Sequence, residues 1–325
     1  MRPVTILDVA REAGVSKTTA SEALRGLGRM TDETRSAVQD AAQRLGFRAN
    51  RSARSLRGST TGAVGLYLPQ ARVRSSYYLD FLCGVVEGTA AGEVDLVMTV
   101  ARQDAPQRYI GTVDGVILCD PRADDPTIVE ILETGLPVVS CEPVPEGSQP
   151  AGVVWSDGAR WTTALLDELA SAGVRNPALL ATTTQGSWVR TVRNTYAQWC
   201  AAHGIATREG AAPFGATPAR LQRVAVQLIE AHPEVDALVC LGDSVATTVL
   251  PALTAAGREV GGDLLLASCS EQQIPPNVYA AINTRGEAAG RACAELLLHL
   301  LAGTAAAGVT REIELEILVN RPRTA

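Results

Sequence analysis

From residue 63 onward, short apolar runs alternate with amphipathic stretches, and that alternation leaves few folds open to the chain. Strand-length apolar runs lie at 63–68, 94–100, 113–118, 137–141, 151–155, 178–182, 236–241, 263–267 and 278–282, with another near 313–318. Between them, 77–91, 126–134, 159–172, 189–203, 218–231, 244–256 and 286–302 read as helices. Unbroken apolar strands separated by helices belong to parallel sheets covered on both faces. Their number suits two doubly wound lobes better than one. In such sheets ligands sit beyond the carboxyl ends of the strands. No G-x-G-x-x-G, P-loop or G-x-S-x-G follows any of these runs, which weakens nucleotide and hydrolase readings.

The first sixty residues differ in kind. They hold eleven Lys and Arg against six Asp and Glu, whereas the rest of the chain holds eighteen against twenty-nine. A basic head on an acidic body points to one small segment that meets a polyanion. Thr5 can cap a helix carrying Leu7, Val9, Ala10 and Ala13, which Gly14 stops. Ser16 caps a second helix with Ala20, Ala23 and Leu24 on one face and Lys17, Thr18, Ser21, Glu22 and Arg25 on the other. Thr31 caps a third, with Val38, Ala41, Ala42 and Leu45 inward and Gly46 at its end. Two helices joined by Ala-Gly-Val-Ser form the helix-turn-helix arrangement, whose second helix offers a polar face to DNA. From Arg44 to Arg57 there are five arginines and no acid. The segment 47–61 is long enough for about two helical turns, too few to stand alone, and reads as a hinge that orders when bound.

Catalytic equipment is sparse. The histidines are His203, His232 and His299, none spaced for a metal or beside a nucleophile. The seven cysteines are scattered in apolar surroundings with no C-x-x-C, and read as small core residues. No apolar run approaches the ~18 residues of a membrane span, and Met1-Arg2-Pro3 leads into polar helical sequence. The expectation is a cytoplasmic protein that is not an enzyme, with no cofactor and no metal. An α/β enzyme with a DNA-binding appendage is the rival from another class.

The string TILDVAREAGVSKTTASEALRG resembles the amino-terminal module of the lactose-repressor/galactose-repressor family of bacterial transcription regulators. The likeness continues through TDETRSAVQDAAQRLGF, NRSARSLRG and TTGAVGLYLP, then weakly through VDGVIL, LPVVSCE, WSDG, LGDSVA and LVNRPR. It implies an α/β chain with an all-α helix-turn-helix head (1–46), a hinge helix (47–61) and a two-lobed periplasmic-binding-protein-like body (62–325). Lobe one would span about 62–155 plus 284–310, and lobe two 156–283 plus 311–325. The implied function is a homodimeric regulator, a repressor, binding a near-palindromic double-stranded operator under control of a small effector such as a sugar or other polyol. A relative whose cleft no longer answers to a sugar is the alternative within the family.

Carried over by position, the resemblance gives Lys17, Thr18, Ser21 and Glu22 to base edges. Thr5, Ser16, Thr19 and Asn50 match phosphate or backbone positions, and Arg51 and Arg54 join them. Leu56 matches the leucine that relatives wedge into the minor groove. Glu22 departs from the family, where arginine is common. A carboxylate can accept from cytosine N4 but cannot donate to guanine; pairing with Arg25 or Lys17 is the alternative. For the effector, the resemblance and the strand ends single out Glu142, Asp157, Trp188, Arg190, Arg193, Asp243 and Ser270. Gly242 stands where relatives often carry Asn, and Ser268-Cys269-Ser270-Glu271 replaces G-F-D-D.

Overall fold

A computed structural model describes residues 4–24, 28–47, 60–68, 75–100, 105–122, 125–144, 147–183 and 186–320. It divides into two compact units, Met1–Gly62 and Ala63–Ala325. The first holds α1 (Ile6–Glu12), α2 (Lys17–Leu24) and α3 (Asp32–Leu45). Their shared core is small: Val9 and Ala10, Ala20 and Ala23, Val38, Ala41 and Ala42. Alanines on α2 let the three helices approach closely, while Leu7 turns outward and is 53% exposed. Thr31 accepts from the Thr34 amide at 3.3 Å to start α3. Gly46 ends it in the left-handed conformation, at φ 64°.

The second unit is built on two six-stranded sheets. The first runs β11-β5-β4-β3-β1-β2, from β1 (Ala63–Leu68), β2 (Asp95–Val100), β3 (Val116–Cys119), β4 (Val138–Cys141), β5 (Gly152–Trp155) and β11 (Val309–Glu312). The second runs β12-β10-β9-β8-β6-β7, from β6 (Pro177–Thr182), β7 (Glu209–Ala212), β8 (Ala237–Cys240), β9 (Leu265–Glu271), β10 (Ala280–Asn283) and β12 (Glu316–Val319). Every pairing is parallel except β10 with β12. The chain passes between the sheets three times: after β5, after β10, and between β11 and β12.

Helices cover both faces, which explains why the central strands are apolar throughout. In β1, Val64, Leu66 and Leu68 face one core while Ala63 and Tyr67 face the other. The first core is closed by α4 (Ser76–Ala91) and α11 (Gly286–Leu301), the second by α5 (Ala105–Tyr109) and α6 (Pro126–Leu132). The other sheet is flanked by α7 (Gly158–Ser171) and α8 (Ser187–Ala202) on one side, and by α9 (Pro218–Ala231) and α10 (Val245–Ala255) on the other. Where α4 crosses α11, a Cβ on Gly84 would overlap the Glu287 carbonyl, and one on Gly290 that of Phe81. Glycine there sets how near the two helices come.

Two strands were not foreseen as separate elements. β7 reads Glu-Gly-Ala-Ala and β11 reads Val-Thr-Arg-Glu, both on sheet edges and largely exposed. An edge strand paired on one side needs no apolar run.

Candidate nucleic-acid interface and interlobe cleft

The start of α2 is fixed by Ser16. The Thr19 amide donates to Ser16 Oγ at 3.0 Å, and the two hydroxyls pair at 2.8 Å. With Ala20 and Ala23 buried, Lys17 and Thr18 stand exposed on the outward face, with Ser21 and Glu22 half-buried beside them. Thr5, ahead of α1, donates from its amide and hydroxyl to Asp8 Oδ2 at 2.9 and 2.7 Å. The structure therefore brings Ser16, Lys17, Thr18, Thr19, Ser21 and Glu22 together on one helix. Glu22 Oε2 would lie 2.5 Å from a Cβ on Gly28, so its carboxylate lies against that glycine. Asn50, Arg51, Arg54 and Leu56 lie outside the described residues, as does Arg25.

In the body, the carboxyl ends of both sheets open into one cleft. One wall carries Ser75, Tyr77 and Tyr78 at the start of α4, Asp120 after β3, Glu142 after β4 and Ser156 after β5. The other carries Thr182, Trp188, Phe214, Asp243 and Ser270. Glu142 follows its strand at φ 75°, a conformation disfavoured for any residue but glycine. Its amide donates to the Val154 carbonyl at 2.7 Å and its own carbonyl accepts from Ser140 Oγ at 2.6 Å. Ser156 Oγ donates to its carboxylate at 2.8 Å. Burial pushes the Glu142 carboxyl up to about 7; the nearby Asp120 charge adds to the shift and Ser156 opposes it.

Four of the seven residues singled out for the cleft, Glu142, Trp188, Asp243 and Ser270, line it together. The other three do not. Asp157 caps α7, accepting from the Arg160 amide at 2.9 Å. Arg193 pairs with Glu209 of β7 at 2.6 Å, and Arg190 stands exposed on α8. No Lys or Arg is among the described lining residues. Sequence reasoning missed Asp120, Tyr77, Tyr78 and Phe214. The signal for Asp120 was its place directly after an apolar strand. Glu271 is buried behind the cleft, where it accepts from the Ser244 amide at 2.9 Å and from Ser268 Oγ at 3.2 Å. No described helix is long and apolar enough to cross a membrane.

Comparison with known proteins divides along the same line as the structure. The description "Bacterial regulatory proteins, lacI family" matches residues 5–50, and "Periplasmic binding protein-like domain" matches 166–321. The HTH-type transcriptional regulator RafR of Escherichia coli is 28% identical over 205 residues, covering 61% of each chain. The HTH-type transcriptional regulator CelR of Thermobifida fusca is 26% identical over 345 residues, covering 98% of each. Among solved structures, a Lac repressor dimer bound to operator and the anti-inducer ONPF superposes with a TM-score of 0.84 at 20% identity, over 98% of both chains. A complex of transcriptional regulator CelR with cellobiose superposes with a TM-score of 0.70 at 24% identity, over 98% of this chain and 99% of that one.

Proposed function

We propose, for a chain that belongs to the lacI family of bacterial regulatory proteins, a homodimeric transcriptional repressor whose two heads bind a near-palindromic operator and whose cleft takes a small effector. One observation carries the reading: a capped helix with an exposed polar face shares a chain with a two-lobed body whose strand ends meet in one cleft. The family is one of sequence-specific DNA-binding regulators and not of enzymes. Acting on chromosomal DNA, the protein works in the cytoplasm.

Lys17, Thr18, Ser21 and Glu22 reach base edges in the major groove, with Thr5, Ser16, Thr19 and Asn50 on phosphate or backbone. Arg51 and Arg54 hold phosphates around Leu56, which wedges the central minor-groove step. Dimerisation is supported by an apolar stripe on lobe one. Leu79 and Val86, seven residues apart on α4, are 46% and 47% exposed, and Met98 on edge strand β2 is 49% exposed. A face of that kind is normally covered in solution, and a twofold copy would cover it.

The effector is a hydroxyl-rich small molecule. Trp188, Tyr77 and Phe214 offer flat apolar faces, and Glu142 and Ser270 offer hydrogen bonds from opposite walls. The cellobiose held by the related CelR structure supports a sugar. Footprinting on the DNA upstream of the protein's own gene tests the whole reading. The expected result is a symmetric protected site that clears when a particular cell metabolite is added. A site that no metabolite clears favours a regulator whose cleft has lost its ligand, and absence of protection at any site contradicts the proposal.

A further inference from the structure

Two of the helices that begin at the cleft, α4 and α8, have no side-chain cap of their own. Ser75, the N-cap of α4, makes no side-chain bond to its own helix. Asp243, from the loop after β8 in the opposite lobe, fills that place. Its Oδ2 accepts from the Ser76 amide at 2.7 Å and from Ser76 Oγ at 3.0 Å, while Oδ1 accepts from Ser75 Oγ at 2.9 Å. On the opposite side, too, a helix start lies close to a carboxylate of the other lobe. Helix α8 of lobe two starts after Gly186, which has no side chain to cap with. Asp120 of lobe one stands there: a Cβ on Gly186 would lie 3.2 Å from its Oδ1. The backbones of Arg122 and Gly186 also pair as an antiparallel bridge across the lobes.

Helix starts carry unsatisfied amides and partial positive charge, so a carboxylate placed there is held well. When the carboxylate belongs to the other lobe, the cap becomes a clasp. Supporting bonds fix both aspartates. Tyr78 Oη donates to Asp120 Oδ2 at 2.5 Å. Ser244, next to Asp243, is held at φ 61° with its amide on Glu271.

We propose that Asp243 and Asp120 form a reciprocal interlobe clasp, and that Asp243 sets the balance between closed and open cleft. Its role toward an effector is then indirect, through lobe closure. That consequence rests on the cleft being the effector site. The clasp itself does not, and it is measured on the full-length protein with no DNA and no small molecule.

Hydrogen exchange followed by mass spectrometry tests it on Asp243→Ala and on the double variant Ser75→Ala with Ser76→Ala, which removes the two hydroxyl bonds to Asp243 from the other lobe and leaves the Ser76 amide bond in place. The expected result is at least tenfold faster exchange both at the start of α4 and at the start of α8, with β3 and β8 still protected. Combining all three substitutions should add little to Asp243→Ala, because the serine variant removes only bonds that Asp243→Ala already removes. Faster exchange confined to α4 would make Asp243 a local cap and overturn the clasp, as would additive effects or no change. Should Asp243→Ala also expose β3 and β8, the serine double variant decides by the same criterion.

Discussion

At Glu142 a left-handed backbone and a raised pKa coincide at the cleft wall. The carboxyl moves from an ordinary 4.5 to about 7, chiefly through burial. In the folded protein it keeps a proton that the unfolded chain releases, so stability falls as pH rises between those two values. Glu142→Gln should flatten that slope and be more stable than wild type above pH 7, by about 1–3 kcal/mol. Urea melts at pH 5 and pH 8 check it, and an unchanged slope in the variant refutes the assignment. Glu22 poses the other residue-scale question. If it accepts from cytosine, Glu22→Gln changes the preferred operator little, whereas Glu22→Arg shifts one symmetric base pair by about 1–3 kcal/mol. Uniformly tighter binding to all sequences by the arginine variant would make Glu22 a solvated helix charge. Residues at strand ends, such as Glu142 and Asp243, were legible because apolar runs reveal where strands stop. Arg193 was not, because its partner Glu209 sits on β7, a strand without an apolar signature.

The elements themselves were legible wherever burial on both faces demanded apolar strands, as in Ala63–Leu68 and Pro177–Thr182. They were illegible where a strand lies on an edge and tolerates polar residues. Glycine positions carried a second signal that periodicity does not report. Gly84 and Gly290 read as ordinary helix residues in sequence, yet the crossing of α4 and α11 leaves no room for a methyl group at either. Because the obstacle is backbone carbonyl and not a movable side chain, Gly84→Ala should cost about 3 kcal/mol or more, at the upper end of overpacking. Chemical denaturation measures this. A loss under 1 kcal/mol would show that the helices can separate without penalty.

For the molecule as a whole, reading a near-palindrome requires two copies. Val86→Glu places a charge among the exposed apolar side chains of α4 on lobe one. It should raise the dimer dissociation constant by at least tenfold in sedimentation, with operator affinity falling alongside, since linked heads lose their effective concentration when separated. A variant that stays dimeric would move the interface elsewhere. The basic head and acidic body, visible in the charge distribution alone, fit this division of labour. What the charges could not convey is the symmetry with which two heads meet DNA. Selection of binding sites from a random DNA pool by the full-length protein reads that symmetry directly. The account predicts an enriched near-palindrome of two half-sites, lost when Lys17 and Thr18 are both replaced by Ala. Enrichment of a single unsymmetric sequence, or selection that survives the loss of Lys17 and Thr18, would contradict it.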